Sequence, residues 1–181
     1  MRSMPQSFDA RQQHGEQGKI ILFALVGVAA LAIGAFTIWF FTCPCERTPG
    51  AYLSGEQVDE PVADWGFANQ VDLCQIQTRS GILPHAINLN CMADTNGNLF
   101  LSCSQCDGKR WSTAALENPS ARIRLEGLVY PVSLRRLQDS AELDNAWRAR
   151  TLKLSSQGGE TPTEIPERPD HWWSFQVTSR S

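Results

Sequence analysis

The sequence predicts a mainly β protein with a few helices, in which a small barrel follows one membrane-spanning helix. Residues 20–41 form a run of 22 residues without a charge, which is long enough to cross a bilayer as a helix. Beyond residue 70, short apolar runs alternate with turn signals, and only two segments have a helical pattern. The connections between the first three strands are too short for parallel crossovers, so we expect an antiparallel sheet.

The N-terminal region predicts a disordered tail at 1–19 and a transmembrane helix at 20–41. The alternatives are a buried core helix and a cleaved signal peptide. A signal peptide has a shorter apolar region and small residues at its cleavage site, whereas this run ends in the aromatic residues 39–41. Three basic residues precede the run and only Arg47 follows closely. This bias predicts a single-pass protein with a cytoplasmic N-terminus and a periplasmic or extracellular C-terminal domain.

Residues 42–69 carry proline, glycine and acidic residues and predict a linker and packing segment, with Trp65 and Phe67 as anchors in the core. The barrel domain is expected at 70–181. Its first hairpin has strands at 71–78 and 84–92, joined at a turn that contains Gly81.

The rest of the barrel follows from turn and cap signals. Asn96-Gly97 is a strong hairpin signal and places a third strand at 99–104. Pro119 ends the short helix that begins after Lys109. Asp139 has the pattern of an N-cap with an acidic residue three positions later. The remaining elements are strands at 122–126 and 128–137, a helix from 139 to about 154, a loop at 155–170 and a final strand at 171–177.

The net charge and the cysteines limit which ligands and metals the protein is expected to bind. The formal net charge of −3 gives no basic face of the kind that nucleic acids require, so we expect no nucleic-acid partner. The six cysteines include Cys103 and Cys106 in a C-x-x-C spacing. Structural disulfides, a redox dithiol and half of a zinc site all have this spacing, but no second C-x-x-C or paired histidines complete a metal centre, and we predict no metal.

A candidate anion site lies where the third strand leads into the short helix. Lys109 and Arg110 precede the helix, and a phosphate is commonly bound by cations and free N–H groups at a helix start. Arg79 and His85 belong to the neighbouring hairpin, and Trp111 offers an aromatic side chain. The alternatives are a solvated basic pair, a polar histidine at a strand start and a tryptophan that fills the core. The spacing assigns no catalytic residue.

Three segments resemble the flavin-binding split β-barrel superfamily, which includes pyridoxamine-phosphate-oxidase-like proteins and deazaflavin-dependent nitroreductases. They are T-R-S-G-I-L-P-H-A-I-N-L at 78–89, N-G-N-L-F-L-S at 96–102 and G-K-R-W-S-T-A-A-L-E-N-P-S-A-R-I-R-L at 108–125. The resemblance implies a split β-barrel, FMN or a related flavin as cofactor, and a homodimer. It also implies cofactor-binding roles for Arg79, His85, Lys109, Arg110 and Trp111.

Three functions are consistent with these observations. The first is a membrane-anchored protein that binds FMN or a related flavin and oxidises or reduces a small molecule. The second is a cofactor-free accessory or binding module of a membrane complex. The third is a thiol-disulfide protein that uses Cys103 and Cys106.

Overall fold

The protein is described here by a computed structural model that covers residues 9–44, 49–159 and 162–180. The chain divides into two compact units, residues 1–38 and 39–181. The N-terminal helix α1 spans Asp9–Thr42. Within it, the candidate span Gln17–Thr42 contains an 18-residue window with a mean hydropathy of 2.6 and no buried residues, so the segment is long and apolar enough to span a membrane; a signal sequence meets the same criterion.

Helix α1 begins at Asp9, eleven residues before the predicted span. Residues 10–17 are mostly alanine, arginine, glutamine and glutamate, which have good helix propensity. Once the apolar run has formed a helix, each further residue adds a hydrogen bond without a new nucleation step. The part of the predicted tail at 1–8 lies outside the described residues.

The second unit is built on one curved sheet. Within the described residues, eight strands form it in the order β3-β2-β6-β7-β8-β5-β4, with β1 beside β7. Every neighbouring pair is antiparallel except the short β1–β7 pair. The strands are β1 (Glu56–Gln57), β2 (Cys74–Ser80), β3 (Leu83–Leu89), β4 (Cys91–Ala93), β5 (Leu99–Ser104), β6 (Ser120–Leu125), β7 (Leu128–Arg136) and β8 (Trp172–Ser179).

Three helical segments complete the unit. A 3₁₀ turn spans Gly66–Gln70, helix α2 spans Arg110–Glu117 and helix α3 spans Ser140–Gln157. Helix α2 contacts β2, β3 and β7, whereas α3 covers β4, β5 and β8. The predicted fold class, a mainly β split barrel with a few helices, is confirmed.

The strand at 84–92 was predicted as one element, and the structure divides it in two. Strand β3 ends at Leu89, and β4 begins at Cys91. Strand β3 pairs with β2, whereas β4 pairs with β5, so the chain changes partner at Asn90. The alternation of apolar and polar residues continues across this corner, and for that reason the sequence pattern does not reveal it.

The core has two parts. The main cluster lies inside the curved sheet and includes Ile76, Leu101, Trp111 and Phe175. A smaller cluster lies beneath α3 and consists of Met92, Phe100, Leu137, Ala146 and Ala149. The N-cap predicted at Asp139 is confirmed, because its Oδ1 accepts a hydrogen bond from the Glu142 backbone N–H at 3.1 Å.

Candidate functional site

The hairpin of β2 and β3 positions His85. Gly81, with φ of 65°, occupies the left-handed region in the turn that joins the strands, a conformation that glycine adopts without strain. The register then places His85 opposite Thr78, and Pro84 opposite Arg79. His85 is half-buried at this edge of the sheet.

The corner between β5 and α2 positions the basic pair. Gly108, with φ of 72°, allows the chain to turn into the helix. Lys109 is the N-cap residue of α2 and makes no side-chain capping bond. Its Nζ instead donates to the Ser104 carbonyl at 2.9 Å, which ties the start of the helix to the end of β5. Both Lys109 and Arg110 are exposed.

Helix α2, whose first residue is Arg110, packs against β3, which carries His85. Burial lowers the pKa of His85, and the positive charge of Arg110 lowers it further. Both effects disfavour a second positive charge, so His85 is neutral at pH 7. A neutral imidazole, a guanidinium and the first turn of α2 therefore lie in one region, where an anion is favoured over a cation.

Trp111 lies in the core. Its side chain is 3% exposed and its ring centroid is 5.2 Å from that of Phe175. Ala114 and Ala115 are buried on the same helix, and their small side chains allow α2 to approach the sheet closely. Of the two interpretations of Trp111, the structure has the tryptophan that fills the core.

Arg79 lies in a different region from Lys109 and Arg110. It lines an open pocket of about 280 Å³ together with Asn118, Arg122 and Arg180. Asn118 is the C-cap residue of α2, whereas Lys109 is its N-cap residue, and eight helical residues extend about 12 Å. Lys109 and Arg110 thus lie at the N-terminal end of α2, and the pocket that Arg79 lines includes the residue at the other end. Along the hairpin, Arg79 is only one register position from His85.

A cavity of about 410 Å³ lies between α3 and β4 and was not predicted from the sequence. Lys153, one of its lining residues, is only 3% exposed. Its Nζ donates to the carbonyl oxygens of Ala68 at 2.9 Å and Cys91 at 2.6 Å. Burial lowers the pKa of Lys153 from 10.5 to about 8, against an opposite effect of Asp72. The signal in the sequence is the spacing of Ala146, Ala149 and Lys153, which share one helix face.

The cysteines form disulfides. Cys74 pairs with Cys91 and joins β2 to the start of β4, and Cys103 pairs with Cys106 within the C-x-x-C segment. Among the described residues no cysteine is free, and these residues contain no group of three or more histidine, cysteine or acidic side chains arranged for a metal ion.

No protein-family model matches the chain, and none of the curated proteins matches it. Solved structures of similar fold include a candidate pyridoxamine 5'-phosphate oxidase from Listeria innocua, at 12% identity over 63% of this chain and 88% of that chain, with a TM-score of 0.46. A NimC/NimA family protein from Clostridium acetobutylicum is 13% identical over 62% of this chain and 74% of that chain, with a TM-score of 0.44. An FAD binding protein from Mycobacterium smegmatis is 17% identical over 67% of this chain and 96% of that chain, with a TM-score of 0.40. At these identities the likeness concerns the fold.

Proposed function

We propose that the chain is a membrane-anchored split-barrel protein that binds FMN or a related flavin. The observation that supports this proposal is the grouping of His85 with Arg110 at the start of α2. Lys109 and Arg110 would neutralise the phosphate, and the backbone N–H groups of the first helical turn would donate to it. Neutral His85 adds one hydrogen-bond donor without a charge.

The fit differs between the two ends of such a cofactor. Two cations and a helix start suit the phosphate, whereas Trp111 is buried against Phe175 and offers no exposed ring face to the flavin. The proposal therefore keeps His85, Lys109 and Arg110 for the phosphate, leaves Trp111 in the core and assigns Arg79 to the other pocket. A bound flavin would supply the electron transfer of a small-molecule oxidoreductase.

The test compares FMN with riboflavin, which lacks the phosphate. Purified full-length chain in detergent is titrated into each ligand, and binding is followed by flavin fluorescence. We expect FMN to bind more tightly than riboflavin, and Arg110→Gln to weaken FMN binding roughly tenfold, as expected for the loss of one charge-assisted bond. Arg148→Gln, which removes an exposed arginine from α3, is the matched control.

Equal affinity for FMN and riboflavin, or no binding of either, would contradict the proposal. A stable chain that binds neither flavin and co-purifies with other membrane proteins would instead favour the accessory module. Following the same resemblance, we propose that the protein is a homodimer. Light scattering of the detergent-solubilised chain, corrected for detergent, measures this, and the mass of a single chain would contradict it.

The disulfide between Cys103 and Cys106 favours thiol-disulfide exchange as a second candidate function. Cys103 is half-buried and Cys106 is fully buried, so an incoming thiolate would reach Cys103 first and Cys106 would leave as the thiolate. A second substrate thiol would then release Cys103, and the substrate dithiol would be oxidised as this pair is reduced. Oxidation of about one equivalent of a model dithiol peptide per chain is expected, and it should be lost in Cys103→Ser; an unchanged rate in this variant would refute this function.

A further inference from the structure

We propose that the pocket lined by Arg79, Arg122 and Arg180, here called the arginine pocket, binds a phosphate-type oxyanion. The three guanidinium groups come from β2, β6 and the end of the chain after β8. The pairing of β2 with β6 places Gln77 opposite Arg122, which brings Arg79 to the same end of the sheet as Arg122. The Arg180 backbone N–H donates to the Pro131 carbonyl at 2.9 Å, which fixes the third arginine beside them.

The charge of the arginine pocket is not balanced by nearby carboxylates. Its lining residues include no aspartate or glutamate among the part of the chain that the structure describes. The ion pairs found in that part involve Arg135 and Arg168 instead. Three like charges repel one another, and in a chain with a net charge of −3 their grouping favours a bound anion.

The arginine pocket also has donors that remain available. Arg122 uses Nη1 to donate to the Leu53 carbonyl at 3.1 Å, and Arg180 uses Nη1 to donate to Ser120 Oγ at 3.2 Å, which leaves the other N–H groups of both side chains. Arg79 is exposed, and its side chain makes no hydrogen bond or ion pair with the described residues. The guanidinium fork suits the paired oxygen atoms of a phosphate.

Thr78 also lines the arginine pocket and is 1% exposed. Along β2 its side chain alternates with those of Gln77 and Arg79 and lies on the buried face with Cys74 and Ile76, so it is not among the groups that would bind the anion. The kind of anion follows from the charge of the arginine pocket. Three cations match the charge of a phosphate, about −1.5 to −2 at pH 7, better than that of one carboxylate.

The pocket would bind this anion whether or not the domain binds a flavin. The ligand is either a soluble phosphate monoester or the headgroup of a phospholipid, and both present the same oxygen atoms. Full-length chain is therefore tested in maltoside detergent with inorganic phosphate and glycerol phosphate, and in nanodiscs with or without phosphatidic acid. Thermal stability and calorimetry are the readouts.

We expect phosphate to stabilise the chain and Arg79→Gln to weaken its binding about tenfold, with a smaller salt dependence. Arg79→Gln disturbs no side-chain hydrogen bond or ion pair among the described residues, whereas Arg122→Gln would also loosen the segment at Leu53. Arg148→Gln is the charge-matched control. A response to soluble phosphate identifies a soluble ligand, and a response only to phosphatidic acid identifies a headgroup.

Two variants separate this proposal from the flavin site. Arg79→Gln should weaken phosphate binding and leave FMN binding unchanged. Arg110→Gln should weaken FMN binding and leave phosphate binding unchanged. Three outcomes would refute phosphate binding in the arginine pocket. They are no response to any phosphate source, the same loss of phosphate binding in Arg148→Gln as in Arg79→Gln, or a loss of FMN binding in Arg79→Gln.

Discussion

Replacing Lys153 with methionine should change how the stability of the barrel domain depends on pH. The Lys153 amine is buried and donates to two backbone carbonyls. Methionine has a similar length and no titrating group, so Lys153→Met removes the amine and leaves those carbonyls unpaired. The unpaired carbonyls lower the free energy of unfolding at every pH, by about 1–3 kcal/mol each. They therefore shift the whole curve of stability against pH without changing its slope.

The magnitude of the pH effect follows from the pKa. Burial lowers the pKa of Lys153 from 10.5 to about 8. Between these two values the unfolded chain binds one more proton than the folded chain, so the free energy of unfolding rises with pH across this window. A shift of this size corresponds to about 3 kcal/mol in total. The contribution is complete above the unfolded pKa and is lost as the pH falls through the folded pKa.

Urea denaturation of the full-length chain in detergent, followed by tryptophan fluorescence at pH 7, 8, 9 and 10, measures this effect. The wild type should gain stability relative to Lys153→Met from pH 8 upward, and the two curves should run parallel below pH 7.5. Leu152→Ala, on the exposed side of the same helical turn, changes packing but should keep the wild-type slope. Parallel curves for wild type and Lys153→Met across the whole range would refute the assigned environment of this amine.

Three further variants test the core, a turn and a disulfide. Trp111→Ala should cost about 3–5 kcal/mol in urea denaturation because it empties the space against Phe175; a loss below about 1 kcal/mol would show that the tryptophan is not packed there. Burial raises the pKa of Asp94, but hydrogen bonds from its asparagine neighbours hold this pKa below 3.8. The wild type should therefore lose stability as the pH falls through the pKa of Asp94 in the folded chain. Asp94→Ala should remove this acid-dependent loss. Replacing Cys74 and Cys91 together by alanine removes a disulfide between residues 17 positions apart. The change should cost about 3 kcal/mol of stability in thermal unfolding, whereas an unchanged Tm would mean that the disulfide adds no stability.

The elements bounded by strong local signals could be predicted from the sequence. Strand β5 was predicted at 99–104, as observed, because Asn96-Gly97 forms the turn before it and Gly108 the turn after it. Helix α2 was limited correctly by Pro119. The corner at Asn90 could not be predicted, because a change of strand partner leaves the period of two intact.

The binding roles of the candidate site residues stay predictions. His85 and Arg110 are brought together by the packing of α2 against β2 and β3, and the resemblance of the segments at 78–89 and 108–125 had implied this grouping. The arginine pocket could not be foreseen, because it depends on the pairing of β2 with β6 and on the position of the chain end. Lys153 was not predicted as a site residue, because only the tertiary structure supplies its two carbonyl acceptors.

Helix α2 makes the two proposed anion sites physically different. Lys109 and Arg110 are at its N-terminus, where the partial positive charge of the helix adds about 0.3–1 kcal/mol to the attraction of an anion. Asn118 is at its C-terminus, where the partial negative charge and the free carbonyls oppose an anion. Phosphate in the arginine pocket would therefore be held mainly by the guanidinium groups. Its affinity should fall more steeply with salt, and more for the loss of one cation, than the affinity of FMN at the start of the helix.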